Sequence, residues 1–331
     1  MKFLVLGDFH YKKGMYASTV ADLDEILQRA YDEDVDFVIH TGDFCNDYVG
    51  SPEILKTYLD NKYNIPVFGI YGNHELETRN NNMAFTTAHL CNRAVEFGGA
   101  DTGYWHYDFG EYRLVGLDTN YSFNEEVREW QHNLPASWGP PQGNKNGDSI
   151  APEQLKWLDG IIAQAYDRKQ KVVVFSHTGL SGEWASSPDA KAVREIFEKY
   201  KGTVSLCVNG HLHTEHFCVK DGIPYFDVNA CINGYWRVCD THHYTDSHTF
   251  TREKFAEDGS IIGTEEVRLN TLTQSKNTWF FASPLSAVVE IKDNGELKIT
   301  GAKTTWRHGL LPPVTVDCIK PEISDRIIKP L

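Results

Sequence analysis

The sequence predicts a layered α/β fold, on three observations. Short continuous apolar runs at residues 3–6, 35–39, 67–71, 112–117, 172–175 and 204–208 alternate with longer segments. Runs of this kind are strands buried on both faces, covered by the helices that connect them. The longer segments carry helical spacing. Val20, Leu23, Leu27 and Ala30 share one face of 20–31, and 52–58, 153–166 and 190–200 also read as helix. The strand ends then repeat one device, a glycine or polar residue with an Asp, Asn or His at or just after the carboxyl end. The ends are Gly7-Asp8, Gly42-Asp43, Gly72-Asn73-His74, Asp118, Ser176-His177 and Gly210-His211. In open α/β folds the ligand site lies beyond the carboxyl ends of the strands, so these ends converge on one edge.

The chain of 331 residues is long enough for one large domain or two ordinary ones. We read 1–311 as a single domain, with insertions near 122–150 and 241–275 and a tail at 312–331 that packs loosely. The first insertion, with Pro135, Pro140 and Pro141, reads as a long surface loop lining or covering a site. The second is polar and irregular, with a hairpin signal at Asp258-Gly259. Residues 287–300, with Asp293-Asn294-Gly295 at the centre, read as a strand–turn–strand hairpin that completes the core.

The net charge is −14. Such a chain repels a phosphate backbone, which disfavours long nucleic acid as a partner. Small phosphate esters remain open, because metal ions or local Arg/Lys reverse the sign within a site. The apolar run at the N-terminus is too short for a secretory signal, and no stretch approaches a membrane span. The seven cysteines are odd in number and contain no C-x-x-C pair, so they read as reduced thiols of a cytoplasmic protein.

The strand-end residues Asp8, His10, Asp43, Asn73, His177, His211 and His213 offer two carboxylates, an amide oxygen and four imidazoles. This mixed N/O set suits Mn, Fe, Co, Ni or Zn better than Mg or Ca. Seven donors exceed what one ion with an open position needs, and they suit two divalent ions sharing a bridging carboxylate. In Asp8-Phe9-His10 and His211-Leu212-His213, residues i and i+2 of an extended segment point the same way. The glycines before Asp43, Asn73 and His211 permit sharp turns.

Taken in order, Gly7-Asp8-Phe9-His10, Gly42-Asp43, Gly72-Asn73-His74-Glu75, His177 and Gly210-His211-Leu212-His213 resemble the five signature blocks of the calcineurin-like metallophosphoesterases. The resemblance spans roughly residues 1–240, and the terminal hairpin is similar to part of that family's second sheet. It implies a four-layer α/β/β/α sandwich, two mixed β-sheets flanked by helices. It also implies that Asp8, His10 and His213 hold one ion, that Asn73, His177 and His211 hold the other, and that Asp43 bridges them. His74 would act beside the leaving-group oxygen as a general acid or charge stabiliser. The expected activity is hydrolysis of a small phosphate ester by a metal-bridging hydroxide, with a phosphodiester favoured. The arrangement is similar to the bacterial cyclic-nucleotide phosphodiesterase and phosphohydrolase branch. Tyr48 is displaced from the position of the metal-binding tyrosine of purple acid phosphatases, and Glu75 after His74 departs from the protein phosphatases. A phosphomonoesterase or nuclease of the family is the alternative. So is an inert scaffold that binds a protein partner, although such relatives lose ligands and this chain keeps every one.

Other residues carry weaker signals, since any one Asp or His can simply cap a turn. His40, Cys45 and Asp47 flank the Asp43 block and read as structural or supporting. Trp130, Trp138, Trp184 and Trp236 lie in or near loops and could stack on a flat group or only pack the loops. His216, His242, His243 and His248 enrich the segment after the last block and read mainly as solvated loop histidines. Arg79, Arg93 and Arg237 are candidates for phosphate.

Overall fold

Each apolar run of the sequence becomes a strand, and the strands divide between two mixed sheets. The structure, a computed structural model, describes residues 1–11, 18–45, 52–77, 87–99, 102–124, 127–132, 144–183, 186–234, 248–255, 261–269, 279–306 and 320–330. In chain order the first elements are β1 (Lys2–Leu6), α1 (Val20–Asp32), β2 (Phe37–His40), α2 (Pro52–Leu59), β3 (Val67–Gly69) and α3 (Asn73–Glu77). Then come β4 (Glu96–Phe97), β5 (Trp105–Phe109), β6 (Tyr112–Gly116), β7 (Tyr121–Asn124), β8 (Glu129–His132) and β9 (Asn144–Ser149). Next are α4 (Pro152–Asp167), β10 (Lys171–Ser176), α5 (Ala190–Lys199), β11 (Val204–Asn209), β12 (His216–Lys220), β13 (Ile223–Asp227) and β14 (Asn233–Gly234). The chain closes with β15 (His248–Phe255), β16 (Ile261–Leu269), β17 (Trp279–Phe280), β18 (Ala287–Ile291), β19 (Leu297–Thr300) and β20 (Arg326–Ile328).

One sheet has six strands in the order β20-β19-β18-β1-β2-β3, and the other has seven in the order β12-β13-β11-β10-β6-β5-β4. β1, β2 and β3 are parallel, as are β6, β10, β11 and β13. The residues of β10 alternate between two cores. Val173 and Phe175 join Phe3, Phe37 and Phe68 between the sheets. Val172 and Val174 join Leu158, Ile161 and Ile162 of α4 and Val193, Ile196 and Phe197 of α5 on the outer face. α1 lies against β2 and beside α2. The result is helices, sheet, sheet, helices, the four layers expected, and it explains why the strands are apolar without alternation.

An aromatic chain ties the sheets together. Phe3 stacks on Phe37 at 4.9 Å, Phe37 meets Phe68 edge-on at 5.4 Å, and Phe68 stacks on Trp105 of β5 at 5.5 Å. The Trp105 indole N–H donates to the Gly69 carbonyl at 3.0 Å. α1 begins on a capping box between Thr19 and Asp22.

Of the expectations for the insertions and the C-terminal part, two hold and two need correction. The terminal hairpin completes the core: β18 pairs with β1 in the six-stranded sheet, with Ala287, Val288 and Val289 buried. The tail at 312–331 ends in β20, which pairs with β19 next to the buried Ile323. The first insertion is not a bare loop: its described part forms a three-stranded sheet, β8-β7-β9. The hairpin signal of the second insertion is met by the antiparallel β15–β16 pair, with Asp258-Gly259 itself between the two strands and outside the described residues.

Phe37 is fully buried and contacts aromatic rings on both sides. Phe37→Ala is expected to cost about 3–5 kcal/mol, read as a lowered midpoint in urea unfolding. A midpoint within error of the parent would contradict this packing.

Candidate metal centre

The carboxyl ends of β1, β2, β3, β10 and β11 lie along one edge of the sandwich, and all seven sequence-predicted donors sit there. The backbone reaches the site differently from expectation. Asp8 (φ 23°), His10 (φ 51°), Asp43 (φ 49°), His211 (φ 72°) and His213 (φ 54°) are all left-handed. The i, i+2 pairs therefore enter through tight turns and not through extended chain. Non-glycine residues take up such backbone only where their surroundings over-determine it. Here the turns are cross-linked: His10 N–H donates to the Asp43 carbonyl at 2.8 Å and Gly210 N–H to the His177 carbonyl at 3.0 Å. Two glycines are required by closeness. A Cβ at Gly72 would lie 2.1 Å from Asp43 Oδ1, and one at Gly42 (φ +92°) would lie 2.6 Å from Gly72 N.

The donors form two groups about Asp43. On one side His10 Nε2 and His213 Nε2 are 2.9 Å apart, and His213 Nε2 is 3.5 Å from Asp8 Oδ1. On the other, His177 Nε2 is 3.1 Å from both Asn73 Oδ1 and His211 Nδ1. Asp43 Oδ2 lies between, 3.7 Å from His10 Nε2 and 3.4 Å from His177 Nε2. Asp8, His10, Asp43 and His213 are buried, with donor atoms all within 4.8 Å of one another. Ligands bonded at about 2.0–2.1 Å around one ion lie roughly 3.0–3.4 Å apart, so these spacings suit a shared cation.

Hydrogen bonds aim the donors inward. His177 Nδ1 is 2.8 Å from the Thr41 carbonyl, which can only accept, so Nδ1 carries a proton and Nε2 is the nitrogen that faces the site. His211 N–H donates to Asp8 Oδ2 at 3.0 Å and His74 N–H to Asp43 Oδ1 at 2.8 Å. The His74 ring packs edge-on against His10 at 4.7 Å, with Nε2 3.9 Å from Asp43 Oδ2.

The site is electrostatically charged against itself. Burial, with Asp43 and Glu75 nearby, lifts the Asp8 carboxyl to about 8, and burial with Asp43 lifts Glu75 to about 7. Burial opposes ionisation of Asp43 too, but His177, His74 and His10 outweigh it and hold that carboxyl well below its ordinary range. Burial disfavours the His177 imidazolium, yet Asp43, Asp8 and the Thr41 carbonyl raise it to about 10. Burial and His177 together lower His211. Buried carboxylates of this kind need cationic partners, and divalent ions supply them.

The roles of two residues named at the strand ends, Glu75 and Asp118, were missed in the sequence. Glu75 is fully buried and accepts N–H bonds from Gly72 at 2.7 Å, Asp43 at 2.8 Å and Cys45 at 3.0 Å, bracing two donor turns. Its only signal was its place in the Gly72–Glu75 block. Asp118, at the end of β6, is buried with Oδ2 2.7 Å from His132 Nε2 of β8, while Asn120 N–H and Nδ2 bond its Oδ1 at 3.0 Å. Asn120 Nδ2 also reaches the Tyr71 carbonyl at 3.1 Å, and Thr119 Oγ1 meets Thr178 Oγ1 at 3.1 Å, so this segment wedges between the Asn73 and His177 turns. The β7–β8 insertion is thereby anchored to the metal edge.

The remaining candidates are resolved as follows. His40 stacks on Phe44 at 4.8 Å and accepts from Gly42 N–H through Nδ1, a structural role. Burial and His177 hold it neutral, its imidazolium lowered to about 3. Cys45 is buried packing. Trp130 meets Phe123 edge-on at 5.8 Å, and Arg93 donates to the Asn92 carbonyl. Asp47, Arg79, Trp138, Trp184, Trp236, Arg237, His242 and His243 lie outside the described residues, as does the side chain of His248.

Comparison with known proteins agrees with this geometry. The profile of the calcineurin-like phosphoesterases matches residues 1–215. The chain belongs to that family. It is a metal-dependent phosphoesterase, with a buried Asp/His metal-binding cluster. Manganese-dependent ADP-ribose/CDP-alcohol diphosphatases of Arabidopsis thaliana and Oryza sativa subsp. japonica are each 25% identical to it over 248 residues, 62% of this chain and 76% and 74% of theirs. A dimetal phosphatase from Danio rerio shares the fold, with a TM-score of 0.54 and 16% identity over 91% of this chain and 95% of that one. No helix among the described residues is long and apolar enough to cross a membrane.

Glu75→Gln must set an amide N–H against at least one of the backbone N–H donors of Gly72, Asp43 and Cys45. It is expected to weaken metal binding about 10–100-fold in a Mn²⁺ titration, with the fold retained; unchanged affinity would remove Glu75 from the centre. Asp118 also sets a pH dependence. Burial opposes its ionisation, but His132 and the Asn120 hydrogen bonds prevail and lower it from 3.8. A depressed native carboxyl stabilises the fold above its unfolded value, and that contribution is lost as pH falls through the native one. The stability gap between the parent and Asp118→Asn should therefore be full at neutral pH and close below pH 3.8. A gap that does not vary with pH would argue against an ionised Asp118.

Proposed function

We propose that this phosphoesterase uses two divalent ions, manganese in the first place, to hydrolyse a small disubstituted phosphate, and that a nucleoside diphosphate derivative of the ADP-ribose or CDP-alcohol kind is its substrate. The observation that carries the dinuclear reading is the placing of Asp43 Oδ2 between the His10–His213 pair and the Asn73–His177–His211 group. Asp8, His10 and His213 would hold one ion, Asn73, His177 and His211 would hold the other, and Asp43 would be shared between them. The manganese-dependent diphosphatase relatives favour the metal and the substrate class. In such diphosphates each phosphorus carries two oxygen substituents, as in the diester favoured by the sequence. A cyclic-nucleotide phosphodiester, the substrate of the bacterial branch that the motifs resemble, is the second reading.

Bound ions supply charge that neutralises the phosphate and makes water acidic enough to give a nucleophile near neutral pH. The chain's own residues do the rest. The buried carboxylates and imidazoles fix the donor positions before substrate arrives, so little reorganisation is left for the reaction. Gly72 and Gly42 let the turns close. His74, held by its backbone bond to Asp43, presents an imidazole that gives or shares a proton at the leaving oxygen. Cys45, Cys91, Cys207, Cys218 and Cys231 form no disulfide, which favours a reducing compartment, the cytoplasm.

Chelated protein reloaded with Mn²⁺ is expected to release nucleoside monophosphate from ADP-ribose and to hydrolyse bis-p-nitrophenyl phosphate faster than the monoester. Asp43→Ala should abolish both activities and lower metal content. His74→Ala should keep its metals and lose about 10²–10⁴-fold in kcat. No turnover of either substrate with no metal bound would sink the enzymatic reading in favour of the scaffold.

A further inference from the structure

We propose that Glu183, His216 and Cys218 form a separate, mononuclear site for a thiophilic divalent ion, Zn²⁺ in its chemistry, at the β12 edge of the seven-stranded sheet. Among the described residues, these three offer a carboxylate oxygen, an imidazole nitrogen and a sulfur, all within 4.8 Å of one another. None belongs to the centre described above, which contains no sulfur donor.

The local structure makes this more than a chance meeting of side chains. His216 and Cys218 are i and i+2 on β12, so both leave the same face of one strand. β12 is the outermost strand of its sheet, with β13 on one side only. Glu183 comes from the segment that follows His177 and brings Oε2 to 3.4 Å from His216 Nε2. The second ring nitrogen of His216 is already committed. Nδ1 is 2.9 Å from Oδ2 of Asp227, the residue directly opposite on β13, whose carboxylate is almost fully buried. A metal-binding histidine characteristically gives its other N–H to a carboxylate, which fixes the tautomer and turns the free lone pair to the ion. Here that lone pair is Nε2, and it faces Glu183.

Three protein donors of N, O and S type with a water in the fourth position make a tetrahedral zinc site, and sulfur selects against manganese or magnesium. Glu183 is about half exposed and His216 about a quarter, so an ion can enter from solvent. Binding displaces the Cys218 thiol proton to solvent, since the thiolate is the ligand. An ion held here would tie the His177-linked segment to the sheet edge through Glu183. Without an ion, His216 has a different use, as an imidazolium paired with Asp227 and Glu183. The two are separable by experiment.

The test titrates the full-length, chelated protein with Cd²⁺ alone, following the near-ultraviolet thiolate-to-cadmium band together with bound metal by elemental analysis. The expected result is a band whose saturated amplitude corresponds to one thiolate–cadmium bond per chain, on top of the cadmium that the Asp/His centre takes up silently. Cys218→Ser should remove both the band and one equivalent of metal while leaving Mn²⁺-dependent phosphoesterase activity unchanged, which also shows that the variant folds. Glu183→Gln and Asp227→Asn should each weaken the band's midpoint about tenfold or more. Absence of the band, or a band that persists in Cys218→Ser, would overturn the site and leave His216 as an ion-pair residue. Neither outcome depends on the dinuclear centre, whose ligands give no thiolate signal.

Discussion

The structure turns on the Asp43 carboxylate. It is buried at the meeting point of the two sheets and held in the ionised form by three imidazoles. Its Oδ1 is taken up by the His74 backbone, which leaves Oδ2 to face histidines from both sheets. Removing a charge of this kind from water is costly unless opposite charge surrounds it. The fold pays that cost by bringing five strand ends to one place, and each of them contributes a donor that is useless alone.

Two kinds of support make this arrangement rigid. One is backbone closeness, seen where Gly72 lies against Asp43 with no room for a Cβ. The other is a pair of buried carboxylates that bind backbone or neighbouring side chains: Glu75 braces the Asp43 and Asn73 turns, and Asp118 anchors the β7–β8 insertion through His132. The insertion is thus fastened to the edge where substrate is handled, as the placement of specificity in loops on a rigid core would have it.

Much of this was legible in the sequence, for identifiable reasons. β1, β10 and β11 are buried on both faces, and such strands must be continuously apolar. The donors were legible because they follow those runs directly. β7 and β8 were not, because half-exposed strands such as Glu129–His132 mix charge with aromatic residues and lack the apolar signature, and β9, Asn144–Ser149, has no apolar residue beyond its glycine. β20 has three residues and pairs only after a long excursion of the chain. The roles of Glu75 and Asp118 were hidden because their partners are backbone N–H groups and a histidine on another strand, neither marked by spacing. The turns at Asp8 and His10 were misread as extended because an Asp or His carries no outward mark of left-handed backbone.

Those left-handed residues have a consequence for how the centre can be inherited or borrowed. Five donors sit in backbone that costs of order 1–3 kcal/mol each for a non-glycine residue. No short peptide carrying Asp8–His10 or His211–His213 would hold that shape alone. The signature blocks are therefore not portable: moved onto another scaffold, they would relax and lose their aim. Their chemistry belongs to the whole sandwich, and it can be passed on only with the two sheets that impose it.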